Sequence, residues 1–212
     1  MSSTIQPASV KVWDPFVRVA HWGLAACFAV AYLTAEEEGP DTAGLHIWAG
    51  YAVGGIVALR VIWGLIGTGH ANFSDFTFSP AAILAYLKDL AGGHPKRYLG
   101  HSPAGAAMIF ALLICLTGTV ATGLAAYGTG GGEATASTAR STLIAPAWAE
   151  DENEVEQANE GADSAMGDLH GTLANITLGL VVLHVLGVAL SSALHRENLV
   201  SAMISGRKRT EV

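Results

Sequence analysis

The chain has 212 residues, of which 51% are apolar and only 14% are charged, and its mean hydropathy is +0.40. This composition excludes an ordinary soluble domain, and with a formal net charge of −7 we expect no nucleic-acid partner. The composition is typical of a protein embedded in a lipid bilayer.

Four stretches match the length of about 20 mostly apolar residues that one helical crossing of a bilayer needs. We therefore predict an all-α fold, an integral membrane four-helix bundle that forms a single transmembrane domain over residues 1–212. The helices are expected at about 16–35, 45–66, 103–126 and 169–193. The first stretch contains Arg18 and His21 and has no convincing small-residue cleavage site, so we interpret it as a mature helix and not as a signal peptide.

The connection between the second and third stretches contains a short helix of its own. Ser79 is suited to cap it, Pro80 to its first turn and Gly92 to its end. Apolar residues repeat within it at helical spacing, at Ile83, Leu84, Leu87 and Leu90. We predict a short interfacial helix on the inner membrane surface.

The connection 127–168 is rich in glycine and acidic residues, and we predict an acidic flexible periplasmic loop. Two interpretations stay open: a solvated loop that only aids solubility, or a docking surface for a positively charged outside protein.

The distribution of charge predicts the orientation in the membrane. If the N-terminus is cytoplasmic, ten of the eleven Lys and Arg residues lie on the inner side, and only Arg140 lies outside. Thirteen of the eighteen acidic residues fall in 36–44 and 127–168, the two outer connections. This positive-inside pattern predicts a multi-pass protein of the bacterial inner membrane with both termini in the cytoplasm.

The two cysteines, Cys27 and Cys115, lie in apolar stretches without a CxxCH or CxxC context. Covalent c-type haem, zinc and iron–sulfur clusters are therefore not expected. We interpret both as small packing residues.

Four of the eight histidines lie within predicted crossings, where a polar side chain is costly and points to function. His170 and His184 are 14 residues apart, which returns both rings to nearly the same helix face about 21 Å apart along the axis. By depth, His170 can meet His46 near the outer surface, and His184 can meet His21 near the inner one.

Paired histidines from different helices of an apolar bundle are suited to the two axial positions of haem iron. We therefore predict two haem b groups, an inner one on His21 and His184 and an outer one on His46 and His170. Small residues near the ligands would let flat rings approach the backbone, although close helix packing uses the same residues: Gly23, Gly50, Gly54, Gly55, Gly171 and Gly187.

Two further sets of residues are candidates. Arg18 and Arg60 lie near the depth of the inner haem, where they would bind its propionates or, alternatively, reach the inner headgroups. Just before the third crossing we predict a candidate quinone pocket, because quinone carbonyls require hydrogen-bond donors. Its residues are Arg97, Tyr98, His101 and Ser102.

The segments WDPFVRVAHW, LHIWAGYAVGGIVALRVIWGLIG, YLGHSPAG and LHGTLANITLGLVVLHVLGVALSSALHRENLVSAMISGRK resemble the prokaryotic cytochrome b561 family. That family includes the membrane cytochrome subunits of nickel–iron hydrogenases. The resemblance covers nearly the whole chain except the acidic connection, and it implies the same pairing of the four histidines. It also implies electron exchange with ubiquinone or menaquinone and with a periplasmic redox partner.

The sequence is compatible with three functions. The first is a di-haem carrier between the quinone pool and a periplasmic c-type cytochrome or hydrogenase-like protein. The second is a self-sufficient quinol or superoxide oxidoreductase with oxygen chemistry at the outer haem, so whether the chain is an enzyme stays open. The third, a haem-free metal or proton transporter, lacks acidic residues within the crossings to balance a cation.

Overall fold

The computed structural model describes residues 9–35, 40–130 and 152–210, with the side chains of 40, 127–130 and 152–164 left out. This part of the chain is mainly helical. Its helices are α1 (Pro15–Leu33), α2 (Pro40–Ile66), α3 (Pro80–Ala91), α4 (Pro103–Gly130), α5 (Glu152–Leu194) and α6 (Leu199–Ser205). Two short strands, β1 (Ser9–Lys11) and β2 (Arg207–Arg209), stand at its ends.

Four of these helices are long and apolar enough to cross a membrane. The spans are Pro15–Leu33, Asp41–Ile66, Pro103–Ala126 and Ala165–Leu194. They agree with the four predicted crossings, and the chain is a multi-pass membrane protein by this criterion.

Large apolar side chains on these helices are exposed, as expected for surfaces that face lipid. Trp48 is 74% exposed and Leu33 is 72% exposed. In water such surfaces would drive aggregation, whereas hydrocarbon solvates them.

Side-chain oxygens define where several of the helices begin. The Asp14 carboxylate accepts from the backbone N–H groups of Phe16 and Val17 at 2.8 and 3.3 Å, at the start of α1. Ser79 Oγ accepts from the N–H of Ala82 at 3.3 Å and caps α3, as predicted. Asn198 Oδ1 accepts from the N–H of Ser201 at 2.8 Å and caps α6. Each cap satisfies N–H groups that have no partner inside the helix.

The end of α3 differs in detail from the prediction. Gly92 is the C-cap but has a right-handed conformation, and the left-handed residue is Gly93, with φ of 77°. Of the apolar positions on this helix, Tyr86 is the buried one, and its ring contacts Tyr98. Leu84 and Leu87 are exposed.

Three of the long helices extend further than the predicted crossings, and α4 ends at Gly130 instead of about 126. α2 begins at Pro40 instead of about 45, and α5 begins at Glu152 instead of about 169. The extension of α5 includes many Glu, Gln and Ala residues, which favour helix, and acidic residues near a helix N-terminus interact favourably with its dipole. The second part of the predicted acidic loop is thus helical, while 131–151 lie outside the described residues.

The small sheet was not predicted. β1 and β2 pair antiparallel, with Ser9 opposite Arg209 and Lys11 opposite Arg207. Gly206, with φ of 80°, turns the chain from α6 into β2, and its carbonyl accepts from the N–H groups of Val12 and Trp13. The strands join the two ends of the chain.

By its internal contacts the chain divides into two compact units, which are described separately. The first contains Met1–Leu113 and Gly179–Val212, and the second contains Ile114–Leu178. In the first unit α1 packs along α2, and Ile56 lies close to Gly23. In the second unit the buried residues are Leu116, Thr119, Thr122 and Thr177.

Candidate functional site

His21 and His184 meet in the first unit. His21 lies on α1 and His184 on α5, and their ring centroids are 6.1 Å apart with the ring planes inclined at 55°. His21 Nδ1 is buried and has no hydrogen-bond partner in the part of the chain that the structure describes. Two polar rings thus face each other between apolar helices.

The distance between these two rings is compatible with both of them binding one metal ion. Two imidazoles that bind one metal ion from opposite sides, through bonds of about 2 Å each, place their ring centroids about 6 Å apart. The observed 6.1 Å is of this size. This distance is compatible with the predicted pairing of His21 and His184 on one haem, and the pairing stays a prediction.

His46 also lies in the first unit and is held by the end of α1. Its Nδ1 is 2.8 Å from the backbone oxygen of Ala31. Ala31 lies in the last turn of α1, where helix carbonyls have no partner inside the helix. The imidazole N–H is the donor that satisfies this oxygen.

His170 lies in the second unit and is held by α4 in the same way. Its Nδ1 is 2.8 Å from the backbone oxygen of Thr119. A Cβ atom on Gly123 would lie 2.8 Å from His170 Cε1, which is closer than real Cβ contacts. Gly123 therefore leaves the space in which the ring lies against α4.

These two hydrogen bonds fix the tautomer of each ring. A neutral imidazole that donates from Nδ1 to a carbonyl carries its lone pair on Nε2. Metal-binding histidines commonly donate their other ring N–H to a backbone carbonyl, which orients the ring and increases its basicity. The Nδ1 contacts of His46 and His170 are of this kind.

Several predicted small residues have open space beside them. A Cβ atom built on Gly50, Gly55, Gly171 or Gly187 would meet no atom within 4 Å, apart from its own local helix backbone. Contacts between helices within the described residues therefore do not explain these four glycines. Gly23 differs, because its Cβ would lie 3.3 Å from Ile56 Cδ1.

Both candidate propionate-binding arginines contact protein groups. Arg18 Nε donates to the carbonyl of Met203 at 3.2 Å, and its Nη2 donates to the carbonyl of Ile204, at the end of α6. Arg60 is 6% exposed, its Nη1 donates to the carbonyl of Ala71 at 3.3 Å, and its guanidinium lies over the ring of Phe73. Their role at a propionate stays a prediction.

His101 is the buried member of the candidate quinone pocket. Its ring packs against Trp13 and Phe76, with centroid distances of 4.7 and 4.2 Å. Its Nδ1 is buried without a hydrogen-bond partner in the described part of the chain. Burial lowers the pKa of His101 to about 3, helped by the positive charges of Arg60, His70 and Lys208 and opposed by Asp75. The ring is therefore neutral at physiological pH.

The other three residues of this candidate pocket have protein partners. Arg97 Nη2 donates to both carboxylate oxygens of Glu197 at 3.2 Å and to the carbonyl of Arg209 at 2.6 Å. Tyr98 packs against the rings of Phe78 and Tyr86. Ser102 Oγ accepts from the N–H of Gly105 at 3.2 Å and so caps α4.

The sequence did not predict which groups hydrogen-bond to His46 and His170. Ala31 and Thr119 act through backbone oxygens, which every residue possesses, so no residue type identifies them. Gly123 carries a signal in principle, because a glycine inside a long apolar helix marks close approach, but the chain has 25 glycines.

A protein-family comparison matches the description "Prokaryotic cytochrome b561" over residues 12–206. The chain belongs to the prokaryotic cytochrome b561 family. The resemblance seen in the sequence is thereby confirmed. A search of curated proteins and a search of solved structures each gave no match.

Membership makes this cytochrome a membrane b-type cytochrome that takes part in electron transfer and implies that it binds haem b. The matched range includes the four intramembrane histidines and α6, and it ends at residue 206, just before β2.

Proposed function

We propose that this cytochrome holds two haem b groups and transfers electrons between the quinone pool and a periplasmic redox partner. His21 and His184 hold the inner haem, and His46 and His170 hold the outer one. A haem bound by these residues would supply one-electron chemistry, and a histidine on each side of it would leave no position at which oxygen could bind.

The contacts that the histidine rings make support this proposal. One pair lies at a centroid distance of 6.1 Å. The other two rings each direct Nδ1 to a backbone oxygen at 2.8 Å. A polar ring in hydrocarbon without such a purpose would cost free energy, so four of them in one small protein support a cofactor role.

The quinone site is proposed beside His101. Arg97 donates to Glu197 and to the carbonyl of Arg209, whereas His101 Nδ1 has no hydrogen-bond partner within the described residues, so we place the hydrogen bond to a quinone carbonyl at His101. The ring is buried among aromatic side chains, which suits an apolar quinone head.

The test is haem reduction by quinol. The purified protein is mixed with a short-chain ubiquinol or menaquinol, and the rise of the reduced α band is followed in time. We expect rapid reduction that His101→Ala slows at least tenfold, while dithionite reduces both forms equally. His94→Ala is the control, because His94 is exposed.

The same purified protein also tests whether the cytochrome acts as an electron carrier. Electrons should leave the reduced protein only when a periplasmic partner, such as a c-type cytochrome, is added. Turnover of superoxide with quinone by the purified protein alone would contradict the carrier assignment.

A further inference from the structure

His101 lies close to two residues of the preceding connection that can take up and release protons. The His70 ring packs against the backbone of Gly100, the residue before His101, where an added Cβ atom would be 2.8 Å from His70 Nδ1. Asp75 directly precedes Phe76, and the ring centroid of Phe76 is 4.2 Å from that of His101. Each of the two residues is therefore one chain neighbour away from a contact with His101 or its backbone.

His70 and Asp75 form a hydrogen-bonded pair that is accessible to water. His70 Nδ1 contacts the Asp75 carboxylate, and the two side chains are 38% and 42% exposed. They lie on two short 3₁₀ turns that follow α2, Gly69–Ala71 and Phe73–Phe76. The pair thus has water on one side and the buried His101 ring nearby on the other.

The other charged side chains near His101 are less suited to accept a proton. Arg60 and Lys208 are buried, and their positive charges lower the pKa of His101. A cation already holds its proton, whereas a carboxylate and a neutral imidazole each have a lone pair that can accept one. Histidine is also the side chain that most readily passes protons on near neutral pH. Within the described residues, His70 and Asp75 are therefore the better proton acceptors around His101.

Quinol oxidation at His101 makes a proton acceptor necessary. Two O–H bonds of the quinol break, its two electrons go one at a time to the inner haem, and two protons are released. The proton of the oxygen that faces His101 goes to Nδ1, and the proton of the opposite oxygen goes to water. Burial lowers the pKa of His101 to about 3, so the protonated ring is unfavourable and gives a proton to a neighbouring group.

We propose that the His70–Asp75 pair receives the proton that a quinol gives to His101 and releases it to water at the membrane surface. In quinone reduction the proton moves in the opposite direction. His70 and Asp75 do not touch the quinol and act through His101. This inference rests on the proposed function, because it needs a quinol bound at His101.

The test uses the full-length protein with its haems bound and a short-chain ubiquinol as reductant. His70→Gln and Asp75→Asn keep the approximate size of each side chain and remove its ability to take up a proton. At saturating quinol, each should slow haem reduction at least about tenfold, whereas dithionite should reduce all forms equally. Asp75→Glu keeps the carboxylate and should keep most of the parent rate. Asp89→Asn, at an exposed position on α3, is the matched control and should keep the full rate.

Two further measurements separate proton transfer from a structural role. Binding of a water-soluble short-chain ubiquinone to the oxidised protein, measured by equilibrium dialysis, should be equal in the parent, His70→Gln and Asp75→Asn. Excess formate should restore part of the rate in Asp75→Asn, because a free carboxylate can take over the proton that the side chain no longer accepts. Imidazole should do the same for His70→Gln.

A parent-like rate in either variant would overturn this inference. Slow reduction with weakened quinone binding, or slow reduction that formate and imidazole do not restore, would overturn it as well, because a structural role would then explain the loss. If Asp75→Asn does not fold, His70→Gln with imidazole carries the same test. A parent whose haems quinol cannot reduce would overturn the proposed function together with this inference, whereas a parent that quinol reduces limits each of the other outcomes to this inference.

Discussion

At the scale of single residues, three of the four intramembrane histidines differ in what their Nδ1 atoms contact. In His46 and His170 this nitrogen donates to a backbone oxygen, which satisfies a group that would otherwise be costly in hydrocarbon. In His21 the same atom is buried without a partner in the described part of the chain. A buried polar atom in that state costs about 1–3 kcal/mol, and such costs are found at functional sites.

Gly123→Ala should damage the outer haem site. The new Cβ would lie 2.8 Å from His170 Cε1 and 3.0 Å from its Nδ1, so the ring must leave the Thr119 oxygen. We expect the haem content to fall from two per chain towards one, measured by pyridine haemochrome. Gly179→Ala is the matched control on α5, because its Cβ would meet nothing within 4 Å. Equal haem content in both variants would show that His170 does not depend on this contact.

The buried His101 predicts how stability depends on pH. Its folded-state pKa of about 3 lies below the ordinary value of 6.5, so between these values the unfolded chain binds a proton that the folded chain does not. The stabilisation is complete above pH 6.5 and decreases as the pH falls towards 3. The free energy of unfolding should lose about 1.4 kcal/mol per pH unit in that range from this group.

Detergent unfolding followed by circular dichroism at several pH values measures this slope. His101→Gln should flatten the slope below pH 6.5, whereas His94→Gln, which changes an exposed histidine in the same connection, should leave it as in the parent. Parallel pH profiles for the parent and His101→Gln would refute the assignment of the slope to His101.

At the scale of elements, the C-terminal segment from Glu197 to Arg209 contacts the rest of the first unit through buried charged side chains. Glu197 is 7% exposed and accepts from Arg97 and from the N–H of Arg209. Lys208 is 6% exposed, donates to the carbonyl of Tyr98 and lies over the ring of Trp13. Burial lowers the pKa of Lys208, the nearby Glu197 opposes this effect, and Arg97 adds to it.

Removing the negative charge of Glu197 should leave Arg97 without its counterion. Breaking a buried ion pair from one side costs several kcal/mol, and for the partly exposed Arg97 we expect Glu197→Gln to destabilise the fold by about 3 kcal/mol. Detergent unfolding measures this loss, with exposed Asp89→Asn as the control. Equal stability of the two variants would mean that the pair does not fasten this segment.

The helices could be predicted from the sequence more completely than their connections. Apolar length identified the four spans, and Ser79 and Pro80 identified the start of α3, because these signals are local. The pairing of β1 with β2 could not be predicted, since three-residue strands carry no periodicity and the partners are separated by almost the whole chain. The length of α5 was underestimated because hydropathy detects only its apolar part.

One contact among the candidate site residues could also be predicted, while their role as haem ligands stays a prediction. His21 and His184 were expected to meet from their depths alone, and their rings do lie together. The contacts of His46 and His170 with the backbone oxygens of Ala31 and Thr119 could not be predicted, because they depend on which backbone groups face a ring.

At the scale of the whole molecule, strand pairing and charge make one prediction about topology. Because Ser9 pairs with Arg209, we expect β1 and β2 to lie on the same side of the membrane. The basic residues of β2 and the positive-inside rule predict that this side is the cytoplasm. Fluorescent-protein fusions at either end should fluoresce, and alkaline phosphatase fusions at the same positions should be inactive. Opposite results at the two ends would be incompatible with the strand pairing in the membrane.

The number of haems per chain tests the central claim most directly. We expect pyridine haemochrome analysis of the purified protein to give two haem b per chain, with one lost in His184→Ala and one lost in His170→Ala. The two single variants should retain different haems, distinguished by their potentials. A colourless protein made with ample haem supply, or two haems retained after both histidines are replaced, would contradict the assignment of these four rings as iron ligands.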